Sequence, residues 1–76
     1  MRVNIIVFGQ LRDMLGDQFE LDDVQDIDEV KSRLHEIYPE MIENNYLVAI
    51  DKKLVTGNLR LNDNSTVAIL SAFSGG

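Results

Sequence analysis

The sequence predicts an α+β domain in which a mixed β-sheet carries one main helix packed on one face. Short apolar runs of β type recur along the chain, while a single longer segment has the period of a helix. The first and last runs are the most apolar. The 76 residues include 45% hydrophobic residues, one Pro and no Cys, so residues 1–76 form one domain around a small core with no disulfide to staple it.

Val3, Ile5, Ile6, Val7 and Phe8 form an apolar stretch rich in β-branched residues and closed by Gly9, which makes residues 2–8 a strand. Leu11, Met14 and Leu15 have helical spacing, and Gly16 stands where a C′ glycine ends a turn, so a short helix is expected over residues 10–15. Gln18 to Asp22 alternates polar and apolar residues, the pattern of a half-exposed strand. Asp26 and Glu29 make a capping box, and Ile27, Val30, Leu34 and Ile37 follow as the apolar stripe of the main helix. Pro39 stops that helix after Tyr38, because the residue before a proline is pushed out of the α region. Residues 40–45 read as a turn of helix or an irregular link. Tyr46 to Ile50 predicts a strand, Asp51-Lys52-Lys53 a tight turn and Leu54-Val55 a short returning strand. Thr56-Gly57-Asn58 breaks that strand, Leu59 and Leu61 anchor a loop that turns again at Asn62-Asp63-Asn64, and the last strand runs from Thr66 to Ser71.

A mostly apolar run belongs to a strand flanked on both sides, so the two terminal strands are expected in the middle of the sheet. If they are parallel neighbours, the fold is a β-grasp, the ubiquitin-like fold. One helix covers one face only. The other face leaves apolar residues of the central strands in water, and a patch of that kind marks an interface.

Thirteen acidic and seven basic residues give a formal charge of −6, which opposes phosphate backbones and anionic membranes. No nucleic acid and no membrane is therefore expected as a partner; a protein with a basic face is. The N-terminus runs straight into a strand with no signal-peptide or transmembrane pattern, and a small secreted domain would usually carry Cys, so the expected compartment is the cytoplasm. His35 lies off the helix stripe with no second His and no Cys to make a metal set or a nucleophile pair, which points to an ordinary surface histidine. The acidic run from Glu20 to Glu29 lacks the spacing and the glycine of an EF-hand loop, so capping and solubility account for it. Lys52-Lys53 has no basic neighbours and reads as a solvated turn, and Gly9, Gly16 and Gly57 are too isolated to form a phosphate loop. No metal and no bound cofactor is expected.

The sequence ends Phe73-Ser74-Gly75-Gly76. A Gly-Gly end offers a carboxylate on a thread without Cβ atoms, able to take any φ and to enter a slot too narrow for other residues. Phe8-Gly9-Gln10-Leu11-Arg12, Leu47-Val48-Ala49-Ile50-Asp51 with Leu54-Val55, and Leu61 to Ala68 leading to Gly75-Gly76 resemble the small, sulfur-carrier subunits of molybdopterin synthase, in the MoaD/ThiS-type ubiquitin-like family. The resemblance implies that Gly76 is adenylated by an enzyme related to the ubiquitin-activating enzymes, which uses ATP, and is then converted to a thiocarboxylate. The large subunit of molybdopterin synthase would receive it, and the sulfur would build the dithiolene of molybdopterin in molybdenum cofactor synthesis. On this reading the chain is not itself an enzyme, and catalysis belongs to the large subunit. Phe73, Ser74 and Gly75 would form the flexible tail, with Phe73 seating it in the partner, while Phe8, Arg12, Leu54 and Leu70 would bind the partners. The family commonly has two prolines before the last four residues where Ser71-Ala72 stand here, a departure expected to loosen the tail. Three other functions fit a Gly-Gly end: the sulfur carrier of thiamine synthesis, a ubiquitin-like modifier joined to lysines, and a passive binding domain. The thiamine carrier usually lacks the helix-bearing insert that Gln10 to Gly16 provides.

Overall fold

The computed structural model describes residues 2–71. Its strands are β1 (Arg2–Phe8), β2 (Gln18–Asp22), β3 (Tyr46–Ile50), β4 (Lys53–Leu54) and β5 (Thr66–Ser71), and its helices are α1 (Arg12–Leu15) and α2 (Ile27–Ile37). The strands make one sheet in the order β2-β1-β5-β3-β4, with β1 and β5 parallel neighbours and the other pairs antiparallel. The two most apolar runs thus occupy the middle, and the fold is the β-grasp. Val3, Ile5 and Val7 of β1 and Val67 and Ile69 of β5 point to the core face, each no more than 2% exposed.

Ile27, Val30 and Leu34 of α2 close that face, all fully buried. Asp26 caps the helix as expected: its carboxylate accepts from the Glu29 amide at 2.9 Å, the N-cap half of the expected box, satisfying a donor that the first turn leaves open. The same turn is stitched to the loop before β5, since the Asp28 amide donates to Asn58 Oδ1 at 2.9 Å and the Ile27 amide to the Leu59 carbonyl at 3.0 Å. Leu61 is buried as expected, whereas the Leu59 side chain is half exposed. Leu59 anchors its loop through its main chain instead.

Two segments take a more specific form than the sequence implies. The link after the helix is a 3-10 turn (Pro39–Ile42) that folds Met41 into the core with no exposure, while Ile37, the last residue of the predicted stripe, is half exposed. The adaptable thioether fills the space at that end of the core. The segment after β1 is likewise split into a 3-10 turn (Gly9–Leu11) and α1, which bury Leu11 and Leu15 before Gly16, at φ +87°, ends the helix. The β3–β4 hairpin turns on Asp51 and Lys52, both with positive φ, as in the primed turns whose twist matches that of the strands. The returning strand therefore starts at Lys53, one residue earlier than the sequence implies. Among the described residues no polar side chain is buried, and no helix is long and apolar enough to cross a membrane.

Candidate functional site

The face of the sheet turned away from α2 is built from the alternate residues of each strand. Register places Ile6 beside Ala68, Ala68 beside Ala49 and Ala49 beside Leu54, a row running across four strands. A second row joins Phe8, Leu70 and Leu47. The two alanines lie between larger side chains, so the rows enclose a shallow concavity of about 740 Å³, rimmed by Thr66, Asp51 and Lys52. Phe8, Leu47 and Leu54 are 49%, 45% and 63% exposed. These three exposed apolar side chains gather on one face of the sheet.

The same face changes character along β1. Arg2 and Asn4 lie opposite Asp22 and Glu20 of β2, and the Arg2 Nε donates to Asp22 Oδ1 at 2.7 Å. That hydrogen bond and the guanidinium charge hold the Asp22 carboxyl below its ordinary range, while the same bond and the Asp22 and Glu20 carboxylates push the Arg2 guanidinium up. Both groups are solvated, so the pair marks a polar boundary more than it stabilises the fold. Because β1 and β5 are parallel, the apolar end of the face is where both strands finish. Ser71 ends β5 there, and the sequence runs on toward Gly76.

Of the predicted contact residues, Phe8, Leu54 and Leu70 come together on this face. Arg12 does not line it. It opens α1, exposed, with its Nε donating to the Gly9 carbonyl at 3.4 Å, in the turn that follows Phe8. Phe73, Ser74, Gly75 and Gly76 lie outside the described residues. Ile6, Leu47, Ala49 and Ala68 belong to the face and were not singled out from sequence, although the two-residue period of the strands carries that information.

His35 is not an ordinary surface histidine. It is half buried, and its Nε2 shares a 2.9 Å hydrogen bond with the Tyr46 hydroxyl; the rings meet edge to face with centroids 6.0 Å apart. With its proton on Nδ1 the imidazole accepts from the phenol; in the other tautomer it donates. Burial pushes the Tyr46 phenol up. Gly9, at φ +75°, passes close to the end of β5, and a Cβ placed on it would stand 3.5 Å from the Ser71 Cβ.

Charge is divided between two parts of the molecule. Eleven acidic and two basic residues fall between positions 13 and 43, from the second residue of α1 through α2 and its 3-10 turn, whereas the other two acids, Asp51 and Asp63, are outnumbered by five basic residues. The apolar face therefore does not carry the net negative charge of the chain on its rim.

A β-grasp sheet with an open apolar face at the end from which the chain runs on to Gly-Gly is the architecture of ubiquitin-like carrier domains. The ThiS family matches residues 5–76, and the chain belongs to that family of MoaD/ThiS-type sulfur carriers. It is similar to a chain in the complex of subunits 1 and 2 of molybdopterin-converting factor from Helicobacter pylori 26695, with a TM-score of 0.78 and 22% identity over 100% of both chains. At that identity the likeness is one of fold. No curated protein matches the chain.

Proposed function

We propose that this chain is the sulfur carrier of molybdopterin synthesis, with Gly76 as the atom-bearing residue and the open sheet face as the surface that docks the large subunit. The observation that carries the reading is the placement of the Phe8–Leu70–Leu47 row at the end of the sheet from which the sequence continues to Gly75-Gly76. A partner that covers this row also receives the tail. Family membership supports the carrier chemistry, and the two-subunit complex of the structural relative supports a large-subunit partner.

The chemistry requires no side chain of this protein. In an adenylating partner the terminal carboxylate oxygen attacks the α-phosphorus of ATP and pyrophosphate leaves. A persulfide sulfur then attacks the acyl carbon and displaces AMP, and a thiol cleaves the resulting acyl disulfide to leave the thiocarboxylate. Glycine lets the acyl carbon be approached closely at each step. The large subunit supplies the pocket and proton transfers for sulfur delivery to the pterin, after which water restores the carboxylate. Both partners use the same face and compete for it, and Arg12, exposed in the turn that follows Phe8, is a charged contact outside that face. A basic partner surface attracts the acidic α2 side at long range, an effect that weakens as salt screens charges beyond about 8–10 Å. The reaction belongs to the cytoplasm.

A thiamine-pathway carrier is the second reading, favoured by the family that matches. The segment from Gln10 to Gly16, folded as a 3-10 turn and α1, favours the first. Reconstitution separates them. Thiocarboxylated chain mixed with the pterin precursor should form no dithiolene, and adding the large subunit should start the reaction. Dithiolene formed by the chain alone, or sulfur accepted only by a thiazole-forming enzyme, would refute the proposal.

A further inference from the structure

We propose that the outer edge of β2 is a second docking site, where an extended basic segment of another protein adds to the sheet as one more strand. β2 is the outermost strand beside β1. The Val7 amide donates to the Asp17 carbonyl at 2.9 Å and the Asn4 amide to the Ser65 carbonyl at 2.8 Å, so the odd residues of β1 bond toward β2 and the even ones toward β5. Opposite those odd residues stand Phe19 and Leu21, which leaves the N–H and C=O groups of Gln18, Glu20 and Asp22 pointing away from the sheet. Among the described residues one hydrogen bond reaches that edge, from Arg33 Nη1 to the Asp22 carbonyl at 3.3 Å. The main-chain groups of Gln18 and Glu20 are left to pair with an added strand.

The two sides of the edge differ, and the difference specifies the occupant. On the open-face side Gln18 and Glu20 border a concavity of about 520 Å³ shared with Asn4, Ile6 and Thr66. Along the edge the acids Asp17, Glu20, Asp22 and Asp23 outnumber Arg2 and Arg33, so Lys or Arg suits that side of an incoming strand. On the α2 side Phe19 packs partly buried near Tyr38, their ring centroids 6.4 Å apart, and Ile37 is 50% exposed. Ile37 lies one helical turn beyond Arg33, on the flank of α2 from which Arg33 reaches β2. Apolar side chains suit that side. A segment in which basic and apolar residues alternate matches both sides at once. A second copy of this chain does not, because β2 paired with β2 sets Glu20 and Asp22 against the same acids. The site is independent of the carrier reading, since no residue of β2 lines the apolar concavity.

The test is a titration of the full chain with a capped peptide of alternating Lys and Val, followed by NMR and amide hydrogen exchange. At saturation the outward amides of Gln18 and Glu20 should exchange about tenfold more slowly or better, whereas Phe19 and Leu21, already bonded to β1, are protected without the peptide. Glu20→Lys should weaken binding about three- to tenfold by setting like charges side by side. Ile37→Ala should weaken it about fivefold, for the half of that side chain now in water. Both side chains are exposed, so neither change empties the core. A peptide of the same composition with its Lys and Val in separate blocks, and the alternating peptide N-methylated throughout, should bind at least tenfold more weakly. Equal binding of either would overturn the proposal, because charge alone would then account for it. Absence of binding, protection that bypasses Gln18 and Glu20, or protection of those amides that rises with protein concentration and needs no peptide would overturn it as well, the last by making a second copy the occupant.

Discussion

Removing the side chains of Phe8 and Leu54 should weaken binding of the large subunit by an amount that follows from their exposure. Leu54 is 63% exposed, so docking buries that share of the ~2 kcal/mol that full burial of a leucine contributes, about 1.3 kcal/mol or eightfold in affinity. Phe8 is 49% exposed and, at ~3 kcal/mol for full burial, contributes about 1.5 kcal/mol or twelvefold. The two lie in separate rows, so a double alanine variant should lose about a hundredfold if the effects add. The shares already buried in the free chain set the cost to folding, about 0.7 kcal/mol for Leu54 and 1.5 kcal/mol for Phe8, so titration calorimetry is done at a temperature where every variant is folded. Ile42→Ala is the control. Ile42 is 67% exposed but sits on the 3-10 turn beside α2, outside the sheet face, and its loss should leave affinity unchanged. Wild-type affinity in the double variant, or an equal loss in Ile42→Ala, would refute the assignment of this face.

Met41→Ala should destabilise the chain by about 2–5 kcal/mol in denaturant titration, because it empties a fully buried site, whereas Ile37→Ala should cost less than the buried alternative because half of that side chain is already in water. Asp22 is held below its ordinary value of 3.8 by Arg2, so the pair stabilises the fold above that pH and the contribution is lost as pH falls through the lowered pKa. A carboxyl titration followed by NMR should show Asp22 returning to the ordinary range in Arg2→Gln; an unchanged titration would break the assignment.

Most of the fold was legible because local and tertiary signals agree. The uninterrupted apolar character of β1 and β5 marks strands covered on both sides, and the Asp26–Glu29 box starts α2 where the sequence places it. The failures share a cause. Ile37 and Met41 compete for one end of the core, and nothing in helical spacing says that a chain reversing after Pro39 will give the place to Met41. Leu59 works through its carbonyl, which a side-chain pattern cannot report. His35 lies off the apolar stripe, yet the flank it faces is the one along which β3 begins, so its partner becomes visible only when the sheet is assembled. At the candidate site, Phe8, Leu54 and Leu70 were recognisable by resemblance, while their neighbours Ile6, Leu47, Ala49 and Ala68 follow once strand register is known. Arg12 shows the limit of proximity in sequence: four positions after Phe8, the chain has already left the sheet.

The carrier reading stands or falls on the state of Gly76 in the cells that make this protein. Intact-mass spectrometry of the chain purified from its own cells, followed by fragmentation of the C-terminal peptide, should find a population in which one oxygen is replaced by sulfur, located on Gly76. That population should vanish when the adenylating enzyme is removed. A Gly76 carboxylate that is always unmodified in cells actively making the cofactor, or one found only in isopeptide linkage to lysines of other proteins, would contradict it.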